Sequence, residues 1–136
     1  MNAAQQESGA PAPVTTPTVL VVEDEVLVRM AIATYLRDCG FRVIEAGSAD
    51  EAIIVLRAEP AVDIVFSDVQ MQGAMDGFGL AQWVRRERPG VRTILTSGIA
   101  RSTELAGDLC EEGPLLAKPY SPQEVERRIR WLLAHR

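Results

Sequence analysis

The sequence predicts a doubly wound α/β domain, a five-stranded parallel sheet with helices on both faces, and three observations carry that expectation. Short apolar runs alternate with segments of helical periodicity from Thr18 onward, which is the order of a parallel sheet joined by right-handed crossovers. The run Val62–Asp68, VDIVFSD, is almost unbroken in its apolar character, as a strand buried on both faces requires. Polar residues fall at the ends of successive runs, where an open sheet of this kind places its ligand.

The elements follow in order. Thr18–Val22 is a β-branched strand that breaks into Glu23-Asp24-Glu25. Val26, Met30 and Ala33, with Leu27 and Leu36 alongside, recur at helical spacing up to Gly40, a favourable stop. Phe41–Ala46 is the second strand, and Ser48 with Glu51 makes a capping-box signature before a helix carrying Ala52, Val55 and Leu56. After Asp68 come a loop, Val69–Asp76, and a helix through Phe78, Leu80, Ala81, Trp83 and Val84 to Pro89-Gly90. Val91–Thr96 is the fourth strand, stopping at Ser97-Gly98. Arg101–Glu112 is the weakest helix, with an internal Gly107 and few apolar anchors. Pro114–Ala117 is a short fifth strand ending at Lys118-Pro119. Ser121, Pro122 and Glu124 then supply an N-cap, a first-turn proline and a capping-box acid for the last helix, through Val125, Ile129, Leu132 and Leu133.

With 136 residues, 47% hydrophobic and 24% charged, the chain has the size and make-up of one ordinary domain. Residues 1–17, with Pro11, Pro13 and Pro17 among small polar residues, read as a flexible lead-in, leaving 18–136 as the domain. The net charge of −5, spread along the chain, offers no footprint for nucleic acid or an anionic membrane. No run reaches the length of a membrane span and no secretory signal opens the chain. Cys39 and Cys110 lack the spacing of a zinc site or a disulfide framework, so a reducing, cytoplasmic setting is expected.

The strand ends carry the chemistry. The first delivers Glu23 and Asp24, the third Asp68, the fourth Ser97 and the fifth Lys118. Singly, each has a bland reading: Asp68 or Ser97 as a turn residue, the acidic triplet as a solvated helix start, Lys118 as a surface lysine. Their fall at the same end of successive parallel strands favours a site. Carboxylates brought together there repel, a pair about 4 Å apart costing roughly 4 kcal/mol at an effective dielectric of 20. A divalent cation relieves this, and oxygen donors without His or Cys suit Mg²⁺ or Mn²⁺ and a phosphate ligand. Asp68 is then the nucleophile for a phosphoryl group, with Lys118 and Ser97 absorbing charge.

From about Thr18 to Ala134 the chain resembles the receiver domain of two-component response regulators, a flavodoxin-like fold: VLVVEDE, VFSD, ILTSG and LLAKPY match in order. The resemblance implies that Glu23, Asp24, Asp68 and the backbone carbonyl of Gln70 hold Mg²⁺, and that Asp68 accepts a phosphoryl group. It also implies that Ser97 is the switch hydroxyl, that Lys118 pairs with the phosphoryl group, and that the Lys118–Pro119 bond is cis. The donor would be a histidine kinase or a histidine phosphotransfer protein.

With no room left for an output domain, output would pass through a downstream protein contact or a relay step. The chain would act as a monomer or a phosphorylation-dependent dimer, with neither nucleic acid nor a membrane as partner. Some positions depart from the family pattern. Gln72 stands where proline is usual, implying a looser loop. Leu115 replaces an aromatic switch residue, and Ile99, an apolar residue beside the switch, implies slow dephosphorylation.

Two competing readings remain. A haloacid-dehalogenase-type Mg²⁺ phosphohydrolase wants its nucleophile on the first strand with a second Asp two residues on, where Asp24 is followed by Glu25 and Val26. A degenerate receiver that signals without phosphate is opposed by the intact set Asp24, Asp68, Ser97 and Lys118.

Overall fold

A computed structural model describes residues 16–98 and 116–136. Its strands are β1 (Thr18–Val22), β2 (Arg42–Ala46), β3 (Val62–Asp68), β4 (Arg92–Ser97) and β5 (Leu116–Ala117). Its helices are α1 (Val26–Asp38), α2 (Ala49–Ala58), α3 (Gly77–Glu87) and α4 (Pro122–Ala134). The strands form one parallel sheet in the order β2-β1-β3-β4-β5. The predicted helix over 101–112, Pro114, Leu115, Ile99 and Cys110 lie outside the described residues.

Alternation along the strands divides the core into two layers. Val19 and Val21 of β1 join Ile64, Phe66 and Ile94 under α1 and α4, whose Ile32, Ala33, Leu36, Val125, Ile129 and Leu132 pack there. Leu20 and Val22 face the other way with Val65, under Ala52 and Leu56 of α2 and Leu80 and Val84 of α3. Side chains on successive residues of a strand point to opposite faces, so an apolar run without polar interruptions feeds both layers.

The helix boundaries follow local chemistry. Ser48 Oγ accepts from Glu51 N–H at 3.1 Å, while Glu51 Oε1 accepts from Gly47 N–H at 2.7 Å. Ser121 Oγ likewise accepts from Glu124 N–H at 3.2 Å. Gly40, at φ +99°, takes the left-handed conformation that ends α1. The helix expected up to Gly40 forms as α1, and Val26, Leu27 and Met30 of its first turns stay out of the core. Val26, Leu27 and Met30 are 54%, 79% and 51% exposed, because the buried face is set by Ile32, Ala33 and Leu36 farther along.

Following the chain, β2 lies on one side of β1 and β3 on the other, so the winding reverses between the carboxyl ends of β1 and β3. Two loops diverge there, and a crevice opens between them.

Candidate functional site

β1 runs directly into Glu23 and Asp24, and β3 ends on Asp68, so the reversal of winding brings these acids face to face. One carboxylate oxygen from each lies within 4.8 Å of the others. Glu23 and Asp68 are each only 5% exposed. From the edge of the sheet Lys118 reaches in, its Nζ 3.2 Å from Asp68 Oδ2 and 3.4 Å from Glu23 Oε1. Lys118 is placed by its own N–H donating to Ser97 O at 3.0 Å, and the Lys118–Pro119 peptide is cis, as expected.

Backbone donors complete the cradle. Gln70 N–H donates to Asp68 Oδ1 at 3.3 Å, Glu25 N–H to Glu23 Oε2 at 3.1 Å, and Gln72 N–H to Asp24 Oδ2 at 3.1 Å. The loop carrying Gln72, expected to be loose, is therefore tied across the crevice to Asp24. A cleft of about 790 Å³ opens here, with Asp24, Asp68, Gln70, Gly98 and Lys118 among its lining residues.

The electrostatics are strained in one direction. Burial pushes the Asp68 carboxyl above the usual carboxylate range, and the Lys118 ammonium, although it acts against this, does not offset it. Glu23 is raised as well, by burial first and by the charge of Asp68, against the pull of its backbone donor and Lys118. Lys118 is pulled down by burial, yet the charges of Asp68 and Glu23 outweigh this and hold it above the ordinary lysine value. One ammonium among three carboxylates leaves a surplus of negative charge. The ligand chemistry fits Mg²⁺: the cluster is built of hard oxygen donors, with no His or Cys among the described residues in it.

Ser97, the last residue of β4, is 3% exposed, and its Oγ donates to Gln70 Oε1 at 2.9 Å. Gln70, named from the sequence for its backbone carbonyl, thus engages the Ser97 hydroxyl with its side chain. Tyr120 packs edge-to-face on Phe66 with ring centroids 5.5 Å apart, placing an aromatic ring behind the site from the loop after β5.

Two residues escaped the sequence reading. Arg29 Nη1 donates to the Glu23 carbonyl at 2.8 Å while its Nε pairs with Glu45 Oε1 at 3.3 Å, fastening the acidic loop to β2. A cation on the first turns of a helix is too common to have marked it. Gly77 opens α3 against the backbone at the end of β3; a Cβ there would lie 2.7 Å from Val69 Cα and closer still to the carbonyl oxygen of Asp68. Gly77→Ala is therefore expected to lower stability by about 1–3 kcal/mol through forced displacement of that backbone, read by chemical denaturation.

A 2-1-3-4-5 parallel sheet with its polar cluster at the switch point defines the flavodoxin-like class. Residues 19–130 match the model of the response regulator receiver domain, and the chain belongs to that family. It is 35% identical over 115 residues to the "probable transcriptional regulator ycf27" of Porphyra purpurea, a match covering 85% of this chain and 46% of the relative. The chain thus spans about half the length of the curated relatives of this kind. The relative's name speaks of transcription, so it lends no support to the expectation that nucleic acid is no partner.

Among solved structures, the CheY-like receiver domain protein of Methanospirillum hungatei superposes with a TM-score of 0.81 at 20% identity, over 89% of this chain and 96% of that one. Response regulator TrrA of Thermotoga maritima, in complex with Mg²⁺-BeF, gives 0.78 at 22% identity, over 86% and 99%. These two likenesses concern the fold. Among the described residues no helix is long and apolar enough to cross a membrane.

Proposed function

We propose that this chain takes a phosphoryl group onto Asp68 from the phosphohistidine of a histidine kinase or a histidine phosphotransfer protein. In this reading Glu23, Asp24, Asp68 and the backbone carbonyl of Gln70 hold Mg²⁺, which when bound supplies positive charge for the phosphoryl oxygens. The observation that carries the reading is Lys118 Nζ standing 3.2 Å from Asp68 Oδ2 within an acidic cluster at the switch point.

An Asp68 carboxylate oxygen attacks phosphorus in line as the P–N bond to the imidazole breaks, and the electron pair of that bond returns to the ring. Lys118 follows the charge onto the phosphoryl oxygens. Ser97 exchanges its acceptor, leaving Gln70 Oε1 for a phosphoryl oxygen, so activation costs one hydrogen bond and makes a charge-assisted one. Water later attacks phosphorus and regenerates the carboxylate, slowly or with the help of a phosphatase. Output through a protein contact or a relay step, and a cytoplasmic location, belong to the same reading.

The test is intact-mass analysis after incubation with acetyl phosphate. One phosphoryl adduct per chain, lost when Mg²⁺ is chelated, is expected. Steady turnover of a small phosphate ester would instead mark a hydrolase, and no adduct from any donor would mark a degenerate receiver.

A further inference from the structure

Asp24 differs from its two acidic neighbours in how it is held. Glu23 and Asp68 lie deep in the crevice and pair with Lys118, whereas Asp24 is only half-buried. A backbone donor reaches its carboxylate from 48 positions away: Gln72 N–H donates to Asp24 Oδ2 at 3.1 Å. The Gln72 side chain is itself exposed, and its contact with Asp24 is made by its backbone.

The loop is built to deliver that donor. Its base is pinned by Gly77 N–H donating to Val69 O at 2.9 Å, and by Asp76, whose Oδ1 accepts from Gly79 N–H at 2.9 Å to cap α3. Gly73, at φ +111°, takes a conformation that L side chains rarely adopt and turns the chain immediately after Gln72. Between these anchors the amide of Gln72 projects over the β1–α1 loop.

A half-exposed carboxylate has rotamers to lose when it ligates a cation, and a fixed outer donor removes part of that cost in advance. We propose that the backbone amide of Gln72 is a positioning group for Asp24: it aims the carboxylate into the cluster with Glu23 and Asp68 and so sets the affinity for the divalent cation. The inference rests on the reading of Asp24 as a cation ligand, and it adds a direct coupling between cation binding and the loop after the phosphoacceptor.

Proline and alanine separate the backbone from the side chain at this position, since Gln72→Pro deletes the N–H and Gln72→Ala keeps it. Titration calorimetry with Mg²⁺ and with Mn²⁺ is expected to show affinity about tenfold weaker for Gln72→Pro, and within about twofold of the parent for Gln72→Ala. Equal affinities for Gln72→Pro and the parent, or tighter binding by Gln72→Pro, would overturn the proposal. A parent protein that binds neither cation would instead remove the cation reading and this inference with it.

Should Gln72→Pro fail to fold, amide hydrogen exchange of the unaltered position decides. Exchange at Gln72 N–H is expected to be about tenfold slower in the parent than in Asp24→Ala, and equal rates would overturn the proposal.

Discussion

Replacing Lys118 by alanine is expected to slow formation of the Asp68 adduct by about 100-fold, the usual scale for losing one preorganised donor aimed at developing charge. Among the described residues, Lys118 is the ammonium seen bridging two of the clustered carboxylates, at 3.2 Å from Asp68 and 3.4 Å from Glu23. Its pKa is held above the ordinary lysine value, burial notwithstanding, so it is fully charged at neutral pH. The stability that goes with this raised pKa is present below the unfolded value and lost only as pH rises through the higher folded one, in the alkaline range. The rate effect at neutral pH thus reports charge placement, free of any titration of the lysine. Lys118→Arg is expected to recover only part of the rate, because a planar guanidinium cannot occupy the position of a compact ammonium between the two acids. The rate is read by intact mass at saturating Mg²⁺, with far-UV circular dichroism confirming the fold. A loss smaller than about threefold would contradict the role given to Lys118.

Asp68→Asn has two expected consequences of opposite sign. It removes the carboxylate proposed to accept the phosphoryl group, so no adduct is expected. It also stabilises the cation-free protein at neutral pH by about 1 kcal/mol, roughly 4 °C in melting temperature for a domain of this size. Burial raises the folded pKa of Asp68 above its unfolded value. The contribution of such a group is fully present below the unfolded pKa and is lost as pH rises through the folded one, so the ionised carboxylate is a liability at pH 7 that asparagine lacks. Below a pH of about 4 the carboxyl is largely protonated in both states and the advantage of the variant disappears.

Added Mg²⁺ reverses the order. A ligand at about 100 times its Kd stabilises the native state by about 2.7 kcal/mol. The parent, with the full carboxylate set, gains more of this than Asp68→Asn. Thermal melts with chelator and with Mg²⁺, at pH 4 and pH 7, make the comparison. A variant less stable than the parent at pH 7 in chelator would show that the Lys118 pairing outweighs the burial of the charge.

Much of this protein is legible in its sequence, for definite reasons. Parallel strands buried on both faces need apolar runs, so Thr18–Val22 and Val62–Asp68 announce themselves, and the last helix opens on the cap formed by Ser121, Pro122 and Glu124. With strands and crossovers in order, all strand ends face one way, and the meeting of Asp24, Asp68, Ser97 and Lys118 follows from topology alone. Periodicity was a poorer guide to depth: Val26 and Met30 sit at helical spacing in α1 and yet lie in solvent. A repeat shows which residues share a face and leaves open where along the helix the sheet ends.

What the sequence by itself determined is the order of the elements, the two-layer core and the identity of the charged groups at the switch point, because apolar pattern and helix caps are local properties. Only the tertiary structure decided how those groups are held: Lys118 between Asp68 and Glu23, Ser97 on the side chain of Gln70, Arg29 on the Glu23 carbonyl, Gln72 N–H on Asp24 and Gly77 against Asp68. Most of these contacts join segments far apart in the chain, and several use backbone atoms that every residue type shares. Composition leaves no mark of such contacts; loop geometry creates them.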